Sequence, residues 1–197
     1  MLDAAISRIS LIMARIGGGL LVASAILVSV EVVLRKAGVL AFSLGTELSS
    51  YALAVAATWS FAFVLLMRGH VRIDIISQRL PQKPRAMLNV LAVASVAAVG
   101  AILSWTALQT LITSLTLGAY SNTPLATPLS VPQGLWTFGL VWFTLVAVYL
   151  SIRLILALAR GDHATVERLA APATADAEAD EAANDARGRM ARQATTP

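Results

Sequence analysis

The chain has 197 residues, 57% hydrophobic and only 13% charged, with a net charge of +4 and a mean hydropathy of +0.75. A soluble domain carries about twice that charged fraction, so a soluble globular fold is excluded. The bases flank apolar runs and form no aromatic-interleaved patch, which reads as membrane topology and not nucleic-acid binding, and the absence of cysteine removes disulfide scaffolds and thiolate metal sites.

Ile16 to Leu34 is apolar except for Glu31 and stops at Arg35-Lys36, which predicts a first membrane span over 16–34. Arg8, Arg15 and the small residues Ala23-Ser24-Ala25 have some character of a signal peptide. However, only about seven apolar residues would precede that cut and the run continues to Leu34, so a retained helix is expected. A second uncharged run over 48–67 ends at Arg68. Ala86 to Ile152 then gives 67 residues without one Asp, Glu, Lys, Arg or His. As a single helix this would measure about 100 Å, some three times the hydrocarbon thickness. It must fold back, and Gly118-Ala119-Tyr120-Ser121-Asn122-Thr123-Pro124, with Pro128 and Pro132 beyond, supplies the turn, because proline removes amide donors and disfavours helix before it. Spans over 86–115 and 133–156 follow. The predicted fold is all-α, with a four-helix membrane domain over 1–160 and a tail over 161–197. That tail can prolong the fourth helix as far as Leu169, and its Ala-, Asp-, Glu- and Arg-rich composition beyond Pro172 predicts disorder.

Four spans place the N-terminus, the 68–85 loop and the C-terminal flank on one side. That side carries Arg8, Arg15, Arg68, Arg72, Arg79, Lys83, Arg85, Arg153, Arg160 and Arg168, against Arg35 and Lys36 on the other. An excess of bases marks the cytoplasmic side, so both termini are expected there.

Few residues offer chemistry. Glu31 is an ionisable group inside a span and thus a candidate site, but Arg35 follows four residues later in the favourable order for a helical ion pair. Thr46 can cap the second helix, with Glu47 at the positive end of its dipole; alternatively Glu47 is a recognition point for a partner. Arg68-Gly69-His70-Val71-Arg72-Ile73-Asp74, running on to Leu80-Pro81, is the densest charged segment. Ile73, Ile76 and Leu80 share a helical face, predicting a short amphipathic helix at the cytoplasmic interface. One His and one Asp, His70 and Asp74, are too few to hold a metal. No haem-ligand pair, HExxH, P-loop or Ser/His/Asp pattern occurs, so no catalytic residue and no cofactor is expected. Ala52, Ala56 and Ser60, and Ala94 with Ala98, have the spacing of close helix contacts. Trp136 suits an interfacial belt, and Trp59, Trp105 and Trp142 suit packing or lipid contact.

The ordered set of motifs resembles the small, Q-type permease subunit of TRAP transporters, the tripartite ATP-independent periplasmic systems. Val32-Val33-Leu34-Arg35 closes span one in the family's manner. Thr46-Glu47-Leu48-Ser49 with Tyr51 opens span two, the loop carries Arg68, His70, Arg72 and Asp74 before Leu80-Pro81, and Ser121-Asn122-Thr123-Pro124-Leu125 makes the proline-rich turn. Val55 and Ser60 stand where a tryptophan and a glycine are usual. The resemblance implies two partners, a large multi-span permease and a periplasmic solute-binding protein, with uptake of an organic acid driven by an ion gradient. It places the substrate and ion sites in the large subunit and makes this subunit a brace. Two other readings are a small subunit of a tripartite tricarboxylate transporter, opposed by the His-x-Arg-x-Asp loop, and a respiratory membrane anchor, which would need haem-ligating histidines in its spans.

Overall fold

The computed structural model describes residues 2–38, 44–68, 81–170 and 187. Five named helices follow in chain order: α1 (Leu2–Lys36), α2 (Gly45–Leu66), α3 (Gln82–Leu117), α4 (Ser130–Ala159) and α5 (His163–Ala170). The first four are each long and apolar enough to cross a membrane. Three of them overrun the predicted spans at both ends, α1 by starting well before Ile16, whereas α2 starts early but stops at Leu66. Hydropathy marks only the part suited to lipid, whereas the hydrogen-bonded backbone continues into the polar interface without penalty. At 35 residues, α1 is about 50 Å long and must project beyond a hydrocarbon layer of about 30 Å. The predicted amphipathic helix, with His70, Arg72 and Asp74, lies outside the described residues.

Heptad seams hold the bundle together. In α3, Ala86, Val90, Val93, Ala97, Gly100 and Ala107 are buried, and in α4 Leu140, Phe143, Ala147, Leu150, Leu154 and Ala157. Both sets advance by alternating steps of three and four, with half-buried Ser104 filling the gap between Gly100 and Ala107, the pattern that keeps one stripe facing a neighbouring helix. The two stripes form most of the core, and Ser104 and Thr144 hydroxyls hydrogen-bond across the seam at 2.8 Å. On α1, Ser10, Gly17, Ser24 and Glu31 recur every seven residues; Ser10, Gly17 and Glu31 are buried, and this face meets α2. Helix α4 is the centre, packing on both α2 and α3, while α1 leans mainly on α2.

Three glycines set the closest crossings. A Cβ on Gly17 would lie 2.9 Å from the Ala56 Cα, one on Gly100 would lie 2.9 Å from the Thr144 hydroxyl, and one on Gly139 would lie 2.6 Å from the Trp59 ring. The α2 seam thus runs through Ala56, as its small-residue spacing predicts. In α3 it is offset from the predicted positions: Ala97 is buried, whereas Ala98 is exposed and Ala94 half-buried. Trp59 is fixed against α4, its indole N–H donating to the Leu135 carbonyl at 2.9 Å and its ring edge-on to Phe138. Trp105 is 63% exposed on the outer face of α3, where lipid contact is expected.

Pairing fixes direction. Gly17 meets Ala56 and Glu31 meets Gly45, so α1 and α2 are antiparallel, as are α3 and α4. The start of α1, the end of α2, the start of α3 and the end of α4 therefore share one end, here the terminal end. There Asp3 accepts hydrogen bonds from the Tyr149 hydroxyl (2.9 Å) and the Arg153 guanidinium (2.5 Å), tying α1 to α4. Two turns further in, the Trp142 indole N–H donates to Ser10 at 3.1 Å. The chain does not prolong α4 beyond Arg160. Gly161, at φ +71, ends it with paired bonds from the Gly161 and Asp162 amides to the Leu158 and Ala157 carbonyls, both 3.0 Å, a left-handed glycine stop. The Asp162 carboxylate then caps α5 by accepting from the Thr165 amide at 3.0 Å.

Candidate functional site at the loop end of the bundle

At the opposite end, three segments far apart in sequence meet around two acids. Glu31 faces α2 because it continues the α1 seam. Its Oε2 accepts hydrogen bonds from the Leu44 amide at 3.1 Å and from the Gly45 amide. These amides open α2, and Leu44 at the cap position contributes no side-chain bond. A helix N-terminus leaves amides unsatisfied and carries partial positive charge. Here a carboxylate from the neighbouring helix supplies both the acceptor and the negative charge. Gly45 makes this possible: a Cβ there would sit 2.7 Å from Glu31 Oε2 and 3.0 Å from Val28.

Glu47 extends the cluster. Its Oε1 accepts from the Tyr51 hydroxyl one turn along α2 at 2.7 Å. Its Oε2 accepts from Thr123 in the α3–α4 connection, and Ser121 bonds the Thr123 hydroxyl at 2.8 Å. The connection is itself closed by backbone bonds, Ser121 N–H to Thr127 (2.8 Å) and Leu129 N–H to Ala119 (3.0 Å). Pro124 sits at the second position of a turn closed by the Ala126 amide to the Thr123 carbonyl at 3.0 Å, where its fixed φ is favourable. Gly118 starts the connection in the left-handed conformation at φ +57.

The sequence placed Glu31, Glu47 and Pro124 as candidates, and the fold gathers all three at one end. Two expectations change in detail. Where the spacing predicts a Glu31–Arg35 pair, the carboxylate turns across to cap α2, and Arg35 is exposed. Where Thr46 is expected to cap α2, the helix already begins at Gly45 and its cap comes from Glu31. Arg68, also at φ +58, ends α2 at the terminal end, far from this cluster. Reasoning from sequence missed Gly45 and the role of Thr123; the only local signal was the Glu47–Tyr51 spacing.

The acids of the cluster are engaged by amides and hydroxyls, and Glu47 ties the connection to α2. A Thr123→Val variant keeps the side-chain shape and removes the donor to Glu47. Hydrogen exchange should then be faster at the Ser121 and Leu129 amides with the α2 amides unchanged; equal exchange in both proteins would remove the clasp from this account.

No curated protein and no solved structure matches the chain. A family model does, over residues 24–160, a segment that takes in the α1 seam from Ser24, the whole acid cluster and α4 to its end. The chain belongs to the DctQ component family of the tripartite ATP-independent periplasmic transporters, the small permease component of those systems.

Proposed function

We propose that the protein braces the large permease of a tripartite transporter. In this reading it holds the stationary part of the complex while the large subunit carries an organic acid received from a periplasmic binding protein, driven by an ion gradient. The observation that carries the reading is the engagement of both acids near the loop end, Glu31 in capping α2 and Glu47 in holding the connection through Thr123. A coupling-ion or substrate site needs acids left to the ligand, and these serve packing. The wide apolar outer faces of α1 and α3, with Val22, Ile26, Leu91 and Ile102 each about 60% exposed, suit lipid and a large membrane partner.

The basic terminal end faces the cytoplasm in this reading, and the loop end, with Glu47 and the 116–132 segment, faces the docked binding protein. The 68–81 segment lies at the cytoplasmic interface against the permease. Because the chain has no cysteine, single thiols report topology directly. A Tyr120→Cys thiol should react with an impermeant maleimide in intact cells, and an Ala164→Cys thiol only after permeabilisation; the reverse pattern overturns the orientation. For the brace itself, Arg72→Glu combined with Asp74→Lys should abolish co-purification with the large permease. Undiminished co-purification refutes the contact.

A further inference from the structure

We infer that α5 is a strap that holds the terminal ends of α3 and α4 at a fixed spacing. It lies beyond the family-matched segment, which stops at 160. An eight-residue helix does not persist alone in water, so α5 owes its existence to its seat. That seat is built from both neighbours. Val166 is fully buried in the core cluster with Ala86 and Val90 of α3 and Leu154 and Ala157 of α4. Glu167 pairs with Arg85 of α3 at 3.6 Å. Leu169 reaches a cleft shared with Ile6 of α1, Leu66 of α2 and Leu150 of α4. If the ends of α3 and α4 separate, Val166 loses its partners on one of them and α5 its reason to be helical. A contact made in only one of two states biases the pair toward that state, so a seated α5 opposes the separation. The inference rests on the packing of α5 alone and stands or falls independently of the brace reading.

The absence of cysteine makes the test direct. In full-length protein in native membranes, opened so that both faces are accessible, a Val166→Cys thiol should react with a water-soluble maleimide at least about tenfold slower than an Ala164→Cys thiol on the exposed face. Arg85→Glu should raise the Val166→Cys rate, and adding Glu167→Arg should lower it again. Spin labels at Lys83→Cys and Ile155→Cys report the spacing of the terminal ends, and a pair at Leu117→Cys and Val131→Cys reports the loop end. Val166→Asp should broaden the first distance distribution and leave the second unchanged. Equal labelling at 164 and 166, or an unchanged terminal-end distance, overturns the strap. Should Val166→Asp broaden both pairs, Arg85→Glu, which removes no core volume, is read in its place by the same criterion.

Discussion

Replacing Glu31 with alanine should destabilise the bundle by about 3 kcal/mol, since it strips the charged acceptor from two amides at a buried helix start and each orphaned group costs about 1–3 kcal/mol. For a chain of this size that corresponds to a fall in melting temperature of about 6–12 °C. Gly45 is buried, so water makes good little of the loss at its amide. Glu31→Gln keeps an acceptor oxygen but loses the charge facing the dipole, and should fall between wild type and alanine. Gly45 tests the same contact from the other side. A methyl at Gly45 would displace the carboxylate, lying 2.7 Å from Glu31 Oε2, so Gly45→Ala should cost clearly more with Glu31 present than in the Glu31→Ala background. Melting curves of the four proteins in one detergent give the coupling. Strictly additive effects, or a neutral Glu31→Ala, would show that the cap contributes nothing.

That cap shows how much of the molecule was legible in the sequence. The number of spanning helices and their rough positions followed from hydropathy and the long charge-free run, because a membrane leaves the backbone few alternatives. The seam of α1, Ser10, Gly17, Ser24 and Glu31 at intervals of seven, became visible only with the fold, which puts Glu31 on the packing face. Arg35, one turn away, was the more obvious partner because helical pairs can be read locally. The amides of Leu44 and Gly45 become partners only once α1 and α2 fold antiparallel. The Thr123–Glu47 bond is more remote still, since 76 positions separate the residues and a threonine in a proline-rich turn carries no mark of its acceptor. The turn back at Gly161 was legible in hindsight: a glycine stop followed at once by an aspartate cap announces a new helix, where the expectation was a fourth helix prolonged as far as Leu169.

The glycines make the sharpest test of the packing, because one chemical change should act with opposite signs. Within a helix, Gly→Ala gains about 0.5–1 kcal/mol from reduced backbone entropy where the methyl has room. Gly18, Gly19 and Gly134 have nothing within 4 Å of the added carbon, so alanine there should be neutral or stabilising. At Gly139 the added carbon would lie 2.6 Å from the Trp59 ring and 2.7 Å from the Thr58 hydroxyl. Trp59 cannot swing aside without giving up its bond to the Leu135 carbonyl and its contact with Phe138. At Gly17 the obstacle is the Ala56 backbone, at 2.9 Å, which moves only if the helices part. Overpacking of a tight core costs about 1–3 kcal/mol, so Gly139→Ala and Gly17→Ala should each lose about 2–3 kcal/mol, and Gly139→Leu should prevent stable accumulation in the membrane. Thermal stability of the five alanine variants, ranked, decides the matter. If Gly139→Ala or Gly17→Ala ranks with Gly134→Ala, then α2 does not approach α1 and α4 as closely as described, and the acid cluster, which depends on the same approach of α1 to α2, loses its foundation.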